Sequence, residues 1–149
     1  MITVSDILSR KGKSIISVTP ELHVLEALRI MAEKNIGSVL VLQNGRYQGI
    51  LTERDYARKV ILKGKTSADT SVGDIMSTGL PHITPKDSID TCMHLMSENN
   101  LRYLPVFNND QLDGIISIND VIKAIILSQE ETIEQLKSYI HSWNFQKIK

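Results

Sequence analysis

Two stretches of the chain hold the same reactive groups at the same spacing: Gly49-Ile50-Leu51-Thr52-Glu53-Arg54-Asp55 and Gly114-Ile115-Ile116-Ser117-Ile118-Asn119-Asp120. Each runs glycine, two apolar residues, a hydroxyl, two variable residues and an aspartate. A hydroxyl followed three residues later by an acid is a helix-capping pattern, in which the side chains satisfy orphan N–H groups of the first turn. The same groups offer a second chemistry. A helix N-terminus has free N–H groups and the positive end of a dipole, which attract anions. The hydroxyl can donate to a phosphate, and an ionised carboxylate, being an acceptor only, can take both hydrogens of a ribose diol. The two readings are compatible: the hydroxyl caps in the free protein and donates when a ligand arrives.

The two motifs differ in charge. Arg54 and Arg58 stand four apart and share a helix face, with Lys59, Lys63 and Lys65 following. The second motif offers Asn119 and then Lys123 alone. A guanidinium binds phosphate in bidentate fashion, so the Asp55 site is expected to hold a phosphorylated ligand more tightly than the Asp120 site. The competing reading is that Arg58, Lys59 and Lys63 form a solvated face or pair with the acidic tail.

The elements that must position these groups are themselves repeated. Val4-Ser5-Asp6-Ile7-Leu8-Ser9 returns as Val72-Gly73-Asp74-Ile75-Met76-Ser77, and from Thr19-Pro20 and Thr84-Pro85 the copies stay in step to Arg58 and Lys123. Val24, Ala27, Leu28 and Met31 mark one helix face, copied by Ile89, Cys92, Met93 and Met96; all are read as core, Cys92 included. Ser38–Leu42 and Tyr103–Phe107 read as strands. The turns Asn44-Gly45 and Asn109-Asp110 lead into second strands, Gln48–Leu51 and Asp113–Ile116. Pro105 lacks a backbone donor, so its strand is expected at an edge or interrupted. A helix follows Thr52 and Ser117. Each repeat therefore reads β-α-β-β-α, an α/β (α+β) chain with repeat 1 and its linker at 1–68, repeat 2 at 69–128 and a helical tail at 129–149. Units this small bury little surface alone and should pack face to face.

The Gly-x-x-Thr/Ser-x-x-Asp junctions, the Val18-Thr19-Pro20 and Ile83-Thr84-Pro85 openings and the Arg102-Tyr103-Leu104-Pro105-Val106 strand resemble cystathionine-β-synthase (CBS) domains. The resemblance covers Val4 to Leu127 and implies two tandem repeats packed pseudo-symmetrically as a Bateman-type module, with two clefts that take AMP, ADP, ATP, NAD or S-adenosylmethionine. By position, it implies that Asp55 and Asp120 bind ribose hydroxyls, and that Thr52 and Ser117 line the ribose and phosphate end. Arg54 and Asn119 would face phosphate. Adenine would lie against Ser38 and Val39 in one cleft and Tyr103 and Leu104 in the other, with Pro81 and Ile16 closing them. Gly37 stands where repeat 2 has Arg102, so the clefts are expected to differ in bulk and charge along that wall. The resemblance further implies a homodimer that regulates a separate partner protein and catalyses nothing.

The rest of the chain is in keeping. The 149 residues carry 17 Lys plus Arg against 17 Asp plus Glu, without the basic excess of a general nucleic-acid binder. There is one cysteine, no run approaching a membrane span and no signal-peptide pattern, so a cytoplasmic location is expected. His23, His82, His94 and His141 show no metal-ligand spacing and are read as surface or capping residues. Ile133, Leu136, Tyr139, Ile140 and Trp143 form one stripe on the tail helix, expected to pack back on the module, with a partner surface as the alternative. Against the nucleotide sensor stands one alternative function, a dimerising interaction or scaffold module with vestigial clefts.

Overall fold

In both halves the framework is a hairpin whose turn demands left-handed backbone. A computed structural model describes residues 1–12 and 15–148, with 143–148 described by backbone alone. β2 (Ser38–Gln43) turns through Asn44 and Gly45, at φ 51° and 76°, into antiparallel β3 (Arg46–Thr52). β4 (Tyr103–Asn108) turns through Asn109 and Asp110, at φ 51° and 66°, into β5 (Gln111–Ser117). Positive φ at both central residues matches the twist of the flanking strands, and Asn, Asp and Gly tolerate it best. The helices before the hairpins, α2 (Val24–Lys34) and α5 (Ile89–Asn99), end on left-handed asparagines, Asn35 and Asn100.

The expected opening strand of each repeat forms only once. β1 (Ser17–Val18) runs parallel to β2, whereas in repeat 2 a single bridge joins Ile83 to Val106. Pro105 explains the loss. In repeat 1 the Leu40 N–H donates to the Ile16 carbonyl at 3.2 Å; Pro105 occupies the position of Leu40 and has no N–H to give. Its own carbonyl faces the same side, accepting from Ile83 N at 3.2 Å, so no hydrogen bond to β5 is forfeited. β4 is thus the edge strand that a proline permits.

Two short helices lead the repeats, α1 (Val4–Lys11) and α4 (Val72–Ile75), and each packs on the other repeat. Val4, Ile7 and Leu8 of α1 are buried with Cys92, Met96, Leu104 and Ile116. Val72 and Ile75 of α4 join Val24, Ala27, Met31, Val39 and Leu51. Backbone bonds clamp the exchange: Val4 N to Asp87 O at 2.8 Å on one side, Val24 N to Thr70 O and Val72 N to Leu22 O, both 2.8 Å, on the other. A bridge between Ile50 and Ser77 ties β3 to the segment after α4. His82 is exposed, as expected of a surface residue, and stacks on Phe107 with centroids 4.2 Å apart, while Tyr47 meets Phe107 edge-on.

Two core expectations need correction. Met93 is exposed, because α5 turns that flank outward, whereas Cys92 is fully buried and its thiol is pushed up to about 11 by desolvation, aided by Asp87. The tail does not fold back. The second helix of repeat 2 runs unbroken as α6 (Ile118–Ile148), with no glycine, proline or cap to turn it, and Ile133, Leu136, Tyr139 and Ile140 are exposed. The Trp143 side chain lies outside the described residues. Among the described residues no helix is long and apolar enough to cross a membrane.

The two motif glycines report how tightly the lead segments sit. A Cβ on Gly49 would lie 2.5 Å from the Ser77 carbonyl oxygen, a backbone atom; one on Gly114 would lie 2.9 Å from the flexible end of Leu8. Gly49→Ala should therefore cost about 2 kcal/mol by overpacking and lower the melting temperature more than Gly114→Ala. Equal melting temperatures for the two variants would contradict this ordering.

Candidate functional site

The first cleft is built where β3 gives way to α3 (Glu53–Tyr56), which widens into a π-helical turn, Ala57–Ile61. Thr52 is the N-cap. Its hydroxyl accepts from Asp55 N at 3.0 Å, and its own N–H donates to Asp55 Oδ2 at 3.0 Å. The capping reading is thus realised, and the carboxylate does more than cap. Asp55 is only 6% exposed. Its Oδ2 also accepts from the Thr52 hydroxyl at 3.0 Å, and Oδ1 accepts from Ser77 Oγ at 2.8 Å and forms an ion pair with Lys59 Nζ at 3.0 Å. Burying a carboxylate is costly unless its lone pairs are filled and its charge is paired, and both conditions are met. Lys59 reaches this position through the π-helical turn and also donates to the Ile75 carbonyl at 2.9 Å.

Beside Asp55 opens a cavity of about 410 Å³. One wall is the junction itself, Thr52 to Asp55 with Arg58 and Lys59; Ser77 and Leu80 form a second, and Asn100 to Tyr103 a third. Arg54, expected to face phosphate, lines it and donates to the Asn100 carbonyl at 3.1 Å. Arg58 lines it as well. Tyr103 was expected in the other cleft but stands in this one, because the start of β4 faces the repeat 1 junction. Burial, with Glu53 nearby, raises its hydroxyl pKa. Gly37 and Arg102, expected to distinguish two clefts, share this wall, and a Cβ on Gly37 would collide with the Tyr103 hydroxyl.

Several expected wall residues lie elsewhere. Val39 and Leu104 are packed in the two cores, since alternate strand positions point away from the cleft. Ile16 backs the repeat 1 core. Ser38 is buried beside the Tyr103 hydroxyl. Pro81 gives its place at the cavity to Leu80, and Asn119 is exposed.

The second cleft is smaller, about 250 Å³, and surrounds Asp120. Ser117 N donates to Asp120 Oδ2 at 2.8 Å, and Asp120 N donates to Ser117 Oγ at 3.1 Å, the same capping box. Lys123, the cation foreseen there, is present but not alone. Arg10 and Lys11 arrive on the last turn of α1 to join Lys123. Lys11 Nζ lies 2.8 Å from Asp120 Oδ2 and 2.9 Å from the Ile115 carbonyl oxygen. The charge deficit expected at this cleft is therefore made up by residues more than a hundred positions away in sequence. One signal was available: the match of Val4–Ser9 to Val72–Ser77 shows that α1 is a lead segment, and lead segments carry cleft residues.

Burial pushes the Asp120 carboxyl up, but the Lys11 ammonium and the Ser117 N–H outweigh it and hold the group below its ordinary value. A depressed carboxyl pKa stabilises the fold above the unfolded pKa, about 4, and that stabilisation disappears as pH falls through the folded value. Lys11→Met should therefore lower the melting temperature near neutral pH, with the difference from wild type shrinking below pH about 4. A difference that stays constant down to pH about 2.5 would show that the pair contributes nothing.

The CBS domain family matches residues 4–62 and again 72–127. A mitochondrial CBS domain-containing protein of Arabidopsis thaliana is 37% identical over 147 residues, covering 93% of this chain and 71% of the plant protein. A CBS domain-containing protein of Bacillus subtilis is 31% identical, over 70% of this chain and 74% of its own length. Among solved structures, a protein with CBS domains from Burkholderia ambifaria superposes with a TM-score of 0.82 at 43% identity, covering 86% of this chain and 96% of that one. A CBS domain pair in complex with 5′-methylthioadenosine and S-adenosyl-L-methionine shares the fold at a TM-score of 0.74 and 23% identity, covering 84% of this chain and 96% of that pair. The swapped lead helices, the paired hairpins and the duplicated junction are those of a tandem repeat that this family defines, and the chain belongs to the CBS domain family.

Proposed function

We propose that this protein is a non-catalytic regulatory module that binds adenine nucleotides in its two clefts and controls a separate partner protein. The observation that carries the reading is the first cavity. A buried carboxylate, Asp55, stands in one wall beside Arg54, Arg58, Lys59 and Arg102. A diol acceptor next to clustered guanidinium groups is the chemistry a nucleotide requires. At about 410 Å³ the cavity falls within the range of small-molecule sites, roughly 300–1,000 Å³, while the second, at about 250 Å³, falls short of it. This favours the Asp55 cleft as the tighter site. AMP, ADP, ATP, NAD and S-adenosylmethionine are the candidate ligands, and the relative bound to two adenosine compounds supports that class.

The free-state bonds suggest how occupancy would be felt. A ribose diol at Asp55 Oδ1 competes with the Ser77 hydroxyl and the Lys59 ammonium. Both are tied to α4 and the segment after it, Ser77 by sequence and Lys59 through the Ile75 carbonyl. Binding therefore has differential contact with the arrangement of that segment, which is what an allosteric response needs.

The second reading, a dimerising interaction module, rests on one observation. Ile122, Ile126, Ile133, Leu136 and Ile140 are exposed along a single stripe of α6, and a second copy of the chain is the partner we propose for it. Leu136→Glu should convert a dimer to a monomer in light scattering without altering the melting temperature of the monomer. A mass unchanged by the substitution would remove the stripe from the assembly.

Nucleotide binding is tested by thermal shift. An adenine ligand at about a hundred times its dissociation constant adds about 2.7 kcal/mol of stability, a rise of several degrees. The shift should fall by most of its size in Asp55→Asn, leaving only what the second cleft contributes. A folded protein that none of the five ligands stabilises would overturn the nucleotide reading and leave the interaction module standing.

A further inference from the structure

Each motif carboxylate is neutralised by one lysine, and the two lysines come from non-equivalent places. Lys59 reaches Asp55 from four residues along the same helical segment, and Lys11 reaches Asp120 from the end of α1. Setting the repeats side by side places Ala124 opposite Lys59, and Gly79 opposite Lys11. Each cleft therefore holds the lysine that the other lacks.

The consequences are unequal. The first cleft has Arg54, Arg58 and Arg102 on its walls besides Lys59, so a phosphate can be met there without drawing on Lys59. In the second, Lys123 stands on the wall, Arg10 leans toward Glu131 at 4.0 Å, and the Lys11 ammonium, the cation in contact with the carboxylate, is spent on Asp120 Oδ2 and the Ile115 carbonyl. A diol can use that carboxylate oxygen only by displacing the ammonium. The Lys11 side chain is exposed, so the displaced ammonium returns to water, and it regains an ion pair in the cleft only where the ligand brings an anion of its own.

We propose that Lys11 sets the ligand selectivity of the second cleft: by holding Asp120 it excludes a bare nucleoside, and it admits a nucleotide, whose phosphate re-accepts the ammonium. The proposal deepens the nucleotide-binding reading and rests on it. It also ties the second cleft to the chain crossover, because Lys11 is the last residue of α1 and Gly12, at φ 89°, ends that helix.

The test is an NMR titration of the isotopically labelled full chain with adenosine and with ADP, in wild type, Lys11→Met and Lys11→Arg. The Ser117 and Asp120 amides report the second cleft, and those of Thr52 and Asp55 the first. In wild type the second cleft should prefer ADP over adenosine by roughly tenfold or more; in Lys11→Met adenosine should bind about fivefold more tightly and ADP more weakly. Lys11→Arg should keep the preference, and the first cleft should show one ratio in all three proteins. Without ligand, the Asp120 carboxyl should titrate at higher pH in Lys11→Met than in wild type. An unchanged Asp120 titration, or an unchanged preference at the second cleft, overturns the proposal. Response at the first cleft alone in every variant overturns this proposal and leaves nucleotide binding intact, whereas silence at both clefts overturns the nucleotide reading and this proposal together.

Discussion

Neither sheet in this protein can cover its own apolar face, and each is covered by the lead helix of the other repeat. A two- or three-stranded sheet with one helix behind it leaves a hydrophobic flank in water, and units of this size do not bury enough surface to stand alone. Val4, Ile7 and Leu8 supply the missing cover on one side, Val72 and Ile75 on the other. The exchange is clamped by backbone bonds at Val4, Val24 and Val72, so the repeats fold as one body. Both clefts are by-products of that crossing. Their walls come from segments that only the exchange brings together, such as Ser77 against Asp55 and Lys11 against Asp120.

Within that frame the aspartates serve two ends with one set of atoms. Each closes a capping box at its junction, and each faces a cavity. Each carboxylate there is met by neighbouring donors and by an ammonium. The cost of taking it out of water is offset by the bonds it makes in the free state, and a ligand must replace those bonds rather than add to them. On the nucleotide-binding reading, the partners a ligand would displace lie in a lead segment (Lys11), follow one (Ser77) or are bonded to one (Lys59, through the Ile75 carbonyl), so binding would be linked to the arrangement of those segments.

The pseudo-symmetry is broken by single residues with large local effects. Pro105 in the place of Leu40 removes one N–H, and a strand shrinks to a bridge. Lys11 and Lys59, set against Gly79 and Ala124, give the two carboxylates ion pairs of different reach. Gly37 leaves room that Tyr103 fills from the opposite repeat. The tail departs from the repeat altogether: α6 continues past the core as one helix, because no residue in it favours a turn, and its exposed isoleucines and leucine run on beyond the region the family covers.

The duplicated Gly-x-x-Thr/Ser-x-x-Asp junction, the helix stripes and the Asn-Gly turn were all legible in the sequence, because capping, periodicity and left-handed turns are local and depend on neighbours within a few residues. From them came the repeat, the α/β class and the positions of Thr52, Asp55, Ser117 and Asp120 at strand-to-helix junctions. Local pattern could not say which repeat each lead helix covers and left Arg10 and Lys11 out of the site, while carrying the family's residues over by position put Tyr103 in the other cleft and Val39 and Leu104 on a wall instead of in the cores. Those assignments depend on how two sheets share two helices. That is decided by the burial of apolar surface between segments far apart in the chain, and only the assembled tertiary structure records it.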